Sequence, residues 1–498
     1  MRQSFVMIPG RSFVFQAPLA LLLAVSAVEF AVQVAWSSPV SVRGITIDRF
    51  GAAMGMLVSL IGLTCIRYAD RQLEGHPKKD RFLRLMAGAA CSAYLMASAT
   101  YLPLLFAAWF CSSLCLHGLL TFCRDRPEAF PPARKKFLIS RLGDIFLLAA
   151  IWLVWRGYDT LDLRQFLDIA ASVPPTTDIA LIAGLVVAAA LTKSAQFPFH
   201  TWLPETMEAP TPVSALMHAG IINAGGVILW RFAPVLVQAP AAMLALSAIG
   251  TLTFVIASLA MWVQPKVKRQ LAWSTVGQMG FMMVQCGLGA FHAAALHMVG
   301  HGCYKAFKFL SAGDVPAKAE VKEAAPASAL CFWLLGTAFA FPVLAFALWL
   351  ADCAPWESAG EMALCWVAAL SAGQFWAAGA LNAPMSRIAR VALCLGGTVA
   401  VTLLAAAMCA VARFLWSPLP LGVQPIDAGM ASLTAAIPVT ALMVLSIVHA
   451  LAPVLAGTPS GKAMRVHALN GFYLGIIADQ WVSKVWGRSV VERGNIHA

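Results

Sequence analysis

The chain has 498 residues, of which 60% are apolar and only 12% charged, with a mean hydropathy of +0.77. A soluble globule carries roughly 25% charged residues, so too little charge is present to coat a water-facing surface. About 300 apolar residues instead fill on the order of a dozen membrane helices of ~20 residues each, which makes the fold class all-α and polytopic. The net charge of +12, from 35 Lys+Arg against 23 Asp+Glu, reads as basic loops on one side of a membrane rather than as a nucleic-acid surface. The 12 cysteines are scattered and form no CxxC pair, so neither a disulfide framework nor a zinc knuckle is indicated.

In chain order, the first apolar run, 13–36, is too long for a signal-peptide core and reads as a retained helix. Further spans are expected near 45–66, 82–99, 100–122, 137–155, 178–199, 212–237, 241–263, 270–290, 291–312, 328–350, 361–381, 391–412 and 430–456, about fourteen in all. Lys and Arg collect in alternate loops: Arg67 to Arg84 after the second span, Arg124 to Lys136 after the fourth, and Lys266 to Arg269 after the eighth. That alternation places both termini in the cytoplasm. The sixth loop breaks the pattern, with Glu205 and Glu208 and no basic residue, which points to special geometry there. The tail from Lys462 to Ala498 is too polar to span and is expected to form an amphipathic helix on the cytoplasmic face or against a partner.

An ionisable residue at the bilayer centre costs ~2.5–3.5 kcal/mol on insertion scales, so each one needs a reason. Lys193 follows fourteen mostly apolar residues that begin at Ile179. Pro198 then removes a backbone donor and breaks the helix, and Pro204, Pro210 and Pro212 keep the next turn extended. His218 follows early in the next span. Broken helices at membrane depth are tolerated where they line a cavity, so a lysine, a break and a histidine in succession read as stations of a hydrated proton path. The competing reading has Lys193 neutralising a buried carboxylate and His218 as a hydrogen-bonded core histidine.

A second cluster is HMVGHGCYKAFKFL at 297–310. At about 100° per residue, His297, His301, Lys305 and Lys308 share one helix face, and such a stripe can relay protons because histidine titrates near neutrality. The HxxxH spacing also admits two metal ligands, but neither an HExxH glutamate nor an obvious third ligand accompanies it. Lys308, nearer the helix end, also suits a headgroup-facing position. SRLGD at 140–144 sets Arg141 and Asp144 at the end of the fifth span, either as an interfacial ion pair or with Asp144 as the carboxylate that exchanges protons with Lys193.

The run KSAQFPFHTWLPETMEAPTPVSALMHAG, with SRLGD, KRQLAWSTVGQMGFM at 268–282 and HxxxHxxxKAxxFLxxG at 297–313, resembles the antiporter-like subunits of respiratory complex I and of Mrp cation/proton antiporters over roughly 45–315. That resemblance implies two inverted five-helix repeats with interrupted helices, 82–238 and 241–382, flanked by N-terminal helices at 1–81, C-terminal helices at 383–456 and a cytoplasmic tail at 457–498. It assigns Lys193, His218, His297, His301 and Lys305 to a chain of protonatable groups across the membrane centre, and it pairs Pro198 with Pro342 as matching helix breaks. The complex I members carry a Glu after a Trp where this chain has Trp109-Phe110, and a Lys in the second broken helix where 328–350 holds no charge.

Those departures, with SLCLHGLLTFCRDRPEA at 113–129 and RVHALNGFYLG at 465–475, are similar instead to the DabB family of inorganic-carbon accumulation complexes. The resemblance implies a cation-conducting subunit, not itself an enzyme, in the cell inner membrane. The same resemblance implies that such a subunit conducts H+ or Na+ and energises CO2 hydration to bicarbonate by a soluble, carbonic-anhydrase-like DabA partner. The zinc cofactor then belongs to the partner, and a dimer of such heterodimers stays open. The alternatives are a complex I or Mrp type pump or antiporter subunit, an intramembrane metallohydrolase using His297 and His301, and a scaffold.

Overall fold

The structure, a computed structural model, describes residues 13–35, 39–42, 44–123, 125–174, 176–314, 326–351, 355–382, 386–416 and 428–486. The chain is a multi-pass helical membrane protein. Helix α1 (Phe13–Ala35) leads into a small hairpin, Val40–Val42 paired with Ile45–Ile47, which caps one end of the bundle. Asp48 then accepts the Gly51 amide and starts α2 (Arg49–Gln72), an N-cap that satisfies one of the donors left free at a helix start. Helices α3 (Lys79–Ser98) and α4 (Leu102–Leu120) pack as a pair, and α5 (Phe130–Tyr158) begins well before the expected 137. A short helix α6 (Leu163–Ser172), capped by Asp162, occupies a stretch where no element is expected.

The broken region is built from α7 (Thr177–Lys193), the single turn α8 (Trp202–Glu205), α9 (Thr211–Ala219), α10 (Ala224–Arg231) and α11 (Ala233–Leu236). Helix α7 stops at Lys193, and Ala195 takes a left-handed conformation with φ 50 before the cis Phe197–Pro198 peptide. The expected break at Pro198 is therefore present. A second break lies at 221–223, where one 3-10 turn separates α9 from α10. Both breaks are sealed by side chains: Gln196 Nε2 donates to the Ser194 carbonyl at 2.8 Å and Asn223 Nδ2 to that of Ala219 at 3.0 Å.

The second half contains α12 (Pro240–Trp262), α13 (Val267–Gly287), α14 (Phe291–Leu310), α15 (Pro326–Leu350) and α16 (Ala359–Asn382). Helices α17 (Arg387–Trp416), α18 (Ala428–Ala450) and α19 (Ala452–Gly457) follow. The tail folds as α20 (Pro459–Leu469) and α21 (Leu474–Trp486). Among the described residues, nine helical stretches are long and apolar enough to cross a membrane. The expected spans at α3, α7, α13, α14 and α16 are helices that fall outside that measure, α7 because it has 17 residues.

One expectation is corrected. Helix α15 runs without interruption through Pro342, as α1 and α18 run through Pro18 and Pro438. Proline removes a single ladder hydrogen bond, and packing on neighbouring helices holds such a helix together in a membrane. Here Phe341 stacks on Trp366 of α16 at 4.0 Å, and Ala340 is sealed against Ala369.

The acidic sixth loop also finds its explanation. Glu208 pairs with Arg126 at 3.1 Å and Glu205 with Lys135 at 2.7 Å, so its carboxylates face the basic loop and helix start that follow α4. Tail helix α21 docks beside them, with Trp486 edge-on to Phe137 at 5.4 Å and Lys135 held between Glu205 and Asp479. Its outer face leaves Ile476, Ile477, Trp481 and Val485 exposed.

Candidate functional site: a buried lysine and histidine axis

Lys193 is the last residue of α7, where the helix dipole favours a cation, and it is only 7% exposed. Its ammonium donates to the Trp109 carbonyl at 2.9 Å and to Ser112 Oγ at 3.1 Å, and lies 4.3 Å from the centre of the Trp109 ring. Asp144 does not touch it. Trp109 stands between them: its indole Nε1–H donates to Asp144 at 2.9 Å, while Arg141 pairs with the same carboxylate at 2.9 Å. The Arg141 guanidinium also lies 4.2 Å over the Phe110 ring, at the position where the complex I pattern carries a glutamate.

Lys136 is a functional candidate that the sequence reading leaves among the loop charges. Because α5 starts early, Lys136 is buried and donates to both the carbonyl and Oγ of Ser113 at 2.8 Å. Lys136, Ser140 and Asp144 repeat at i, i+4 and i+8, one stripe of α5. A small cavity of about 10 Å³ lies between Lys136, Ser140, Thr192, Lys193 and Trp202, the size of one water centre. Gly143 lets α5 approach α7 here; a Cβ at this position would collide with Thr192 Oγ1.

The second cluster is set by α14 crossing α9. Gly302 permits that crossing, since a Cβ there would stand 2.8 Å from the Ala219 carbonyl and 3.0 Å from Leu57. On this face Lys305 is 0% exposed and donates to the Leu271 carbonyl at 3.0 Å. His297 Nδ1 meets Gln285 Oε1 at 2.8 Å, and its ring centre lies 6.0 Å from that of His301. His218 is 0% exposed and stacks on Phe309 of α14 at 4.3 Å. His301 lies within electrostatic reach of His297, Lys305 and His218, so the structure brings these four together. It sets Lys308 apart: that residue is exposed, with its ammonium 5.7 Å from the Tyr304 ring.

Neither ring nitrogen of His218 or His301 has a protein hydrogen-bond partner, and the same holds for Ser214 Oγ and for both nitrogens of His200. Buried polar atoms left without protein partners are the places where ordered water belongs. His200, in the turn after Pro198, is a further candidate that the sequence reading passes over; it packs 5.7 Å from Trp273. Among the described residues, no three His, Cys, Asp or Glu side chains converge as metal ligands. A larger cavity of about 280 Å³ lies between α12, α13, α16 and α18, beside Trp273 and with no lysine in its lining.

At the opposite end lie a buried Arg231 and a half-buried Glu29, neither of them singled out from the sequence. Arg231 at the end of α10 forms a bidentate pair with Asp48 and donates to the Ala97 carbonyl, and Tyr94 donates to Glu29 of α1 at 3.3 Å. Glu29 is visible as a lone carboxylate inside an apolar run, and the Asp48–Arg231 pair joins residues 183 positions apart, beyond any sequence signal.

The broken α7, the doubled break before α10 and the lysine-histidine face of α14 lie within residues 99–328, which match the model of the NADH:quinone oxidoreductase/Mrp antiporter transmembrane family. Two curated relatives are the "Probable inorganic carbon transporter subunit DabB" of Hydrogenovibrio crunogenus, 38% identical over 63% of this chain and 61% of its own, and subunit DabB2 of Halothiobacillus neapolitanus, 41% identical over 55% and 49%. The chain thus spans less than two thirds of the length of either relative. Among solved structures, the Mrp complex from Dietzia sp. DQ12-45-1b matches 97% of this chain and 56% of its own with a TM-score of 0.54 and 26% identity. Lys193 and Lys305 both lie inside the stretch that matches the family model.

Proposed function

We propose that this chain conducts H+ or Na+ across a cell inner membrane, with both termini cytoplasmic, and delivers the energy of that movement to a soluble DabA-like subunit. The observation that carries the reading is the pair Lys193 and Lys305. Both ammonium groups are buried in the bundle, and each is held by neutral oxygens rather than by an ion-paired carboxylate. Burial of an unpaired charge in a membrane costs free energy that structure alone does not return, so such residues mark ion pathways. In this reading protons pass among Lys193, His218, His301, His297 and Lys305 through water at the unpartnered nitrogens. Trp109 connects Asp144 to Lys193, and Asp144 takes the acceptor role left open at Phe110.

The DabB names of the relatives favour inorganic carbon as the coupled substrate. CO2 hydration and its zinc then lie in the partner, which docks on the tail-bearing face. Lys193→Ala and His301→Ala are each expected to abolish carbon-dependent growth rescue while the complex still assembles. Full rescue by both variants would refute the assigned roles, and co-purification with complex I or Mrp subunits in place of a zinc-bearing soluble protein would favour the antiporter alternative.

A further inference from the structure

We infer that Glu205 is the port through which cations enter or leave the axis at the tail-bearing end, and that tail helix α21 controls it by sharing Lys135 through Asp479. The inference rests on the conduction reading above and adds to it a named gate. Lys135 is 1% exposed, yet it lies at the edge of the bundle with its ammonium 2.7 Å from Glu205 Oε2 and 2.8 Å from Asp479 Oδ1. It also donates to the Gly475 carbonyl at 3.3 Å. One buried cation thus serves two carboxylates, one on the turn after the Pro198 break and one on the tail. The contact is close, since a Cβ on Gly475 would collide with Glu205 Oε1.

The position of Glu205 suits a port. It is partly exposed at 28%, and it ends the same short turn, α8, that begins two residues after His200. His200 is buried, both its nitrogens lack protein partners, and it lies within electrostatic reach of Lys135. A partly exposed carboxylate and a buried, unpartnered imidazole thus stand five residues apart on the segment that follows the Lys193 helix end. The charged groups acting on Glu205 are Lys135 from α5, Asp479 from α21 and Arg269 from α13.

Burial holds the Glu205 carboxyl above the usual carboxylate range; Lys135 and Arg269 oppose this and Asp479 reinforces it. With Asp479 in place the charge of Lys135 is divided, and Glu205 accepts a proton more readily. Without it, Lys135 and Arg269 oppose protonation of Glu205 more strongly. Movement of α21 therefore changes how easily the port loads.

The test is cation flux against pH on the tail-bearing side, in liposomes holding the full complex. Asp479→Asn is expected to move the acid limb of the profile to lower pH, because a negative neighbour of Glu205 is gone, and Asp479→Glu is expected to restore it. Glu205→Gln is expected to remove most of the flux, and the Asp479→Asn shift should vanish in the Glu205→Gln background. An equal shift in both backgrounds, a fall in amplitude without any shift, or unchanged flux in Glu205→Gln would overturn the gate while leaving conduction standing. Absence of flux in the unmodified complex would overturn the conduction reading and the gate together.

Discussion

Lys193 and Lys305 show how one residue type is used twice with different support. Lys193 closes a helix and rests on an indole ring, so helix dipole and cation–π attraction both favour its charge. Lys305 sits inside α14, five residues before its end, with the Leu271 carbonyl as its acceptor. The Trp109 side chain is the hinge of the first site, since its ring underlies Lys193 and its N–H holds Asp144. Trp109→Phe keeps an aromatic face but deletes the donor to a charged group, a loss of about 1.5–3 kcal/mol to which the smaller ring adds a packing loss in this buried site. Thermal unfolding in mild detergent should show the lower stability; an unchanged midpoint would contradict the anchoring role of Trp109. Lys193, His218 and the 297–305 stripe are legible from the sequence because charge inside apolar runs is rare. Lys136 is not, since its burial depends on α5 starting at Phe130, ahead of the apolar stretch that marks the span.

At the scale of the element, α14 carries the second cluster and its seating depends on small residues. Gly302 faces the Ala219 carbonyl, whereas Gly300, two residues earlier, faces open space. Gly302→Val is therefore expected to overpack the crossing and destabilise by about 1–3 kcal/mol. Gly300→Ala should stabilise by about 0.5–1 kcal/mol through helix propensity. Opposite signs in detergent unfolding would support this packing, and equal signs would contradict it. The interruption after Lys193 is legible because proline, a charge and a string of turn-forming residues coincide there. The break at 221–223 carries no proline and depends on Asn223 reaching the carbonyls of Ala219 and Met298. The same rule misleads at Pro342, where a proline without turn residues around it leaves α15 continuous. The amphipathic α6 and the 40–47 hairpin are too short to register in hydropathy.

Across the whole molecule, the helical membrane architecture follows from composition alone, because 12% charge cannot coat a soluble surface. The order of long helices follows from loop punctuation. What hydropathy could not supply is how distant segments meet: Asp48 with Arg231 at one end, and Lys135 with Glu205 and Asp479 at the other. These pairs bracket the axis at its two ends, and the acidic loop at 205–208 departs from the charge alternation because neighbouring segments supply its cations. The most direct measurement of the central claim is cation uptake into liposomes containing the intact complex under an imposed pH or sodium gradient. Uptake by the unmodified complex that is lost in both Lys193→Ala and Lys305→Ala, with assembly unchanged, is the predicted result. Equal uptake by the unmodified complex and both variants would contradict it, because the ions would then be crossing elsewhere.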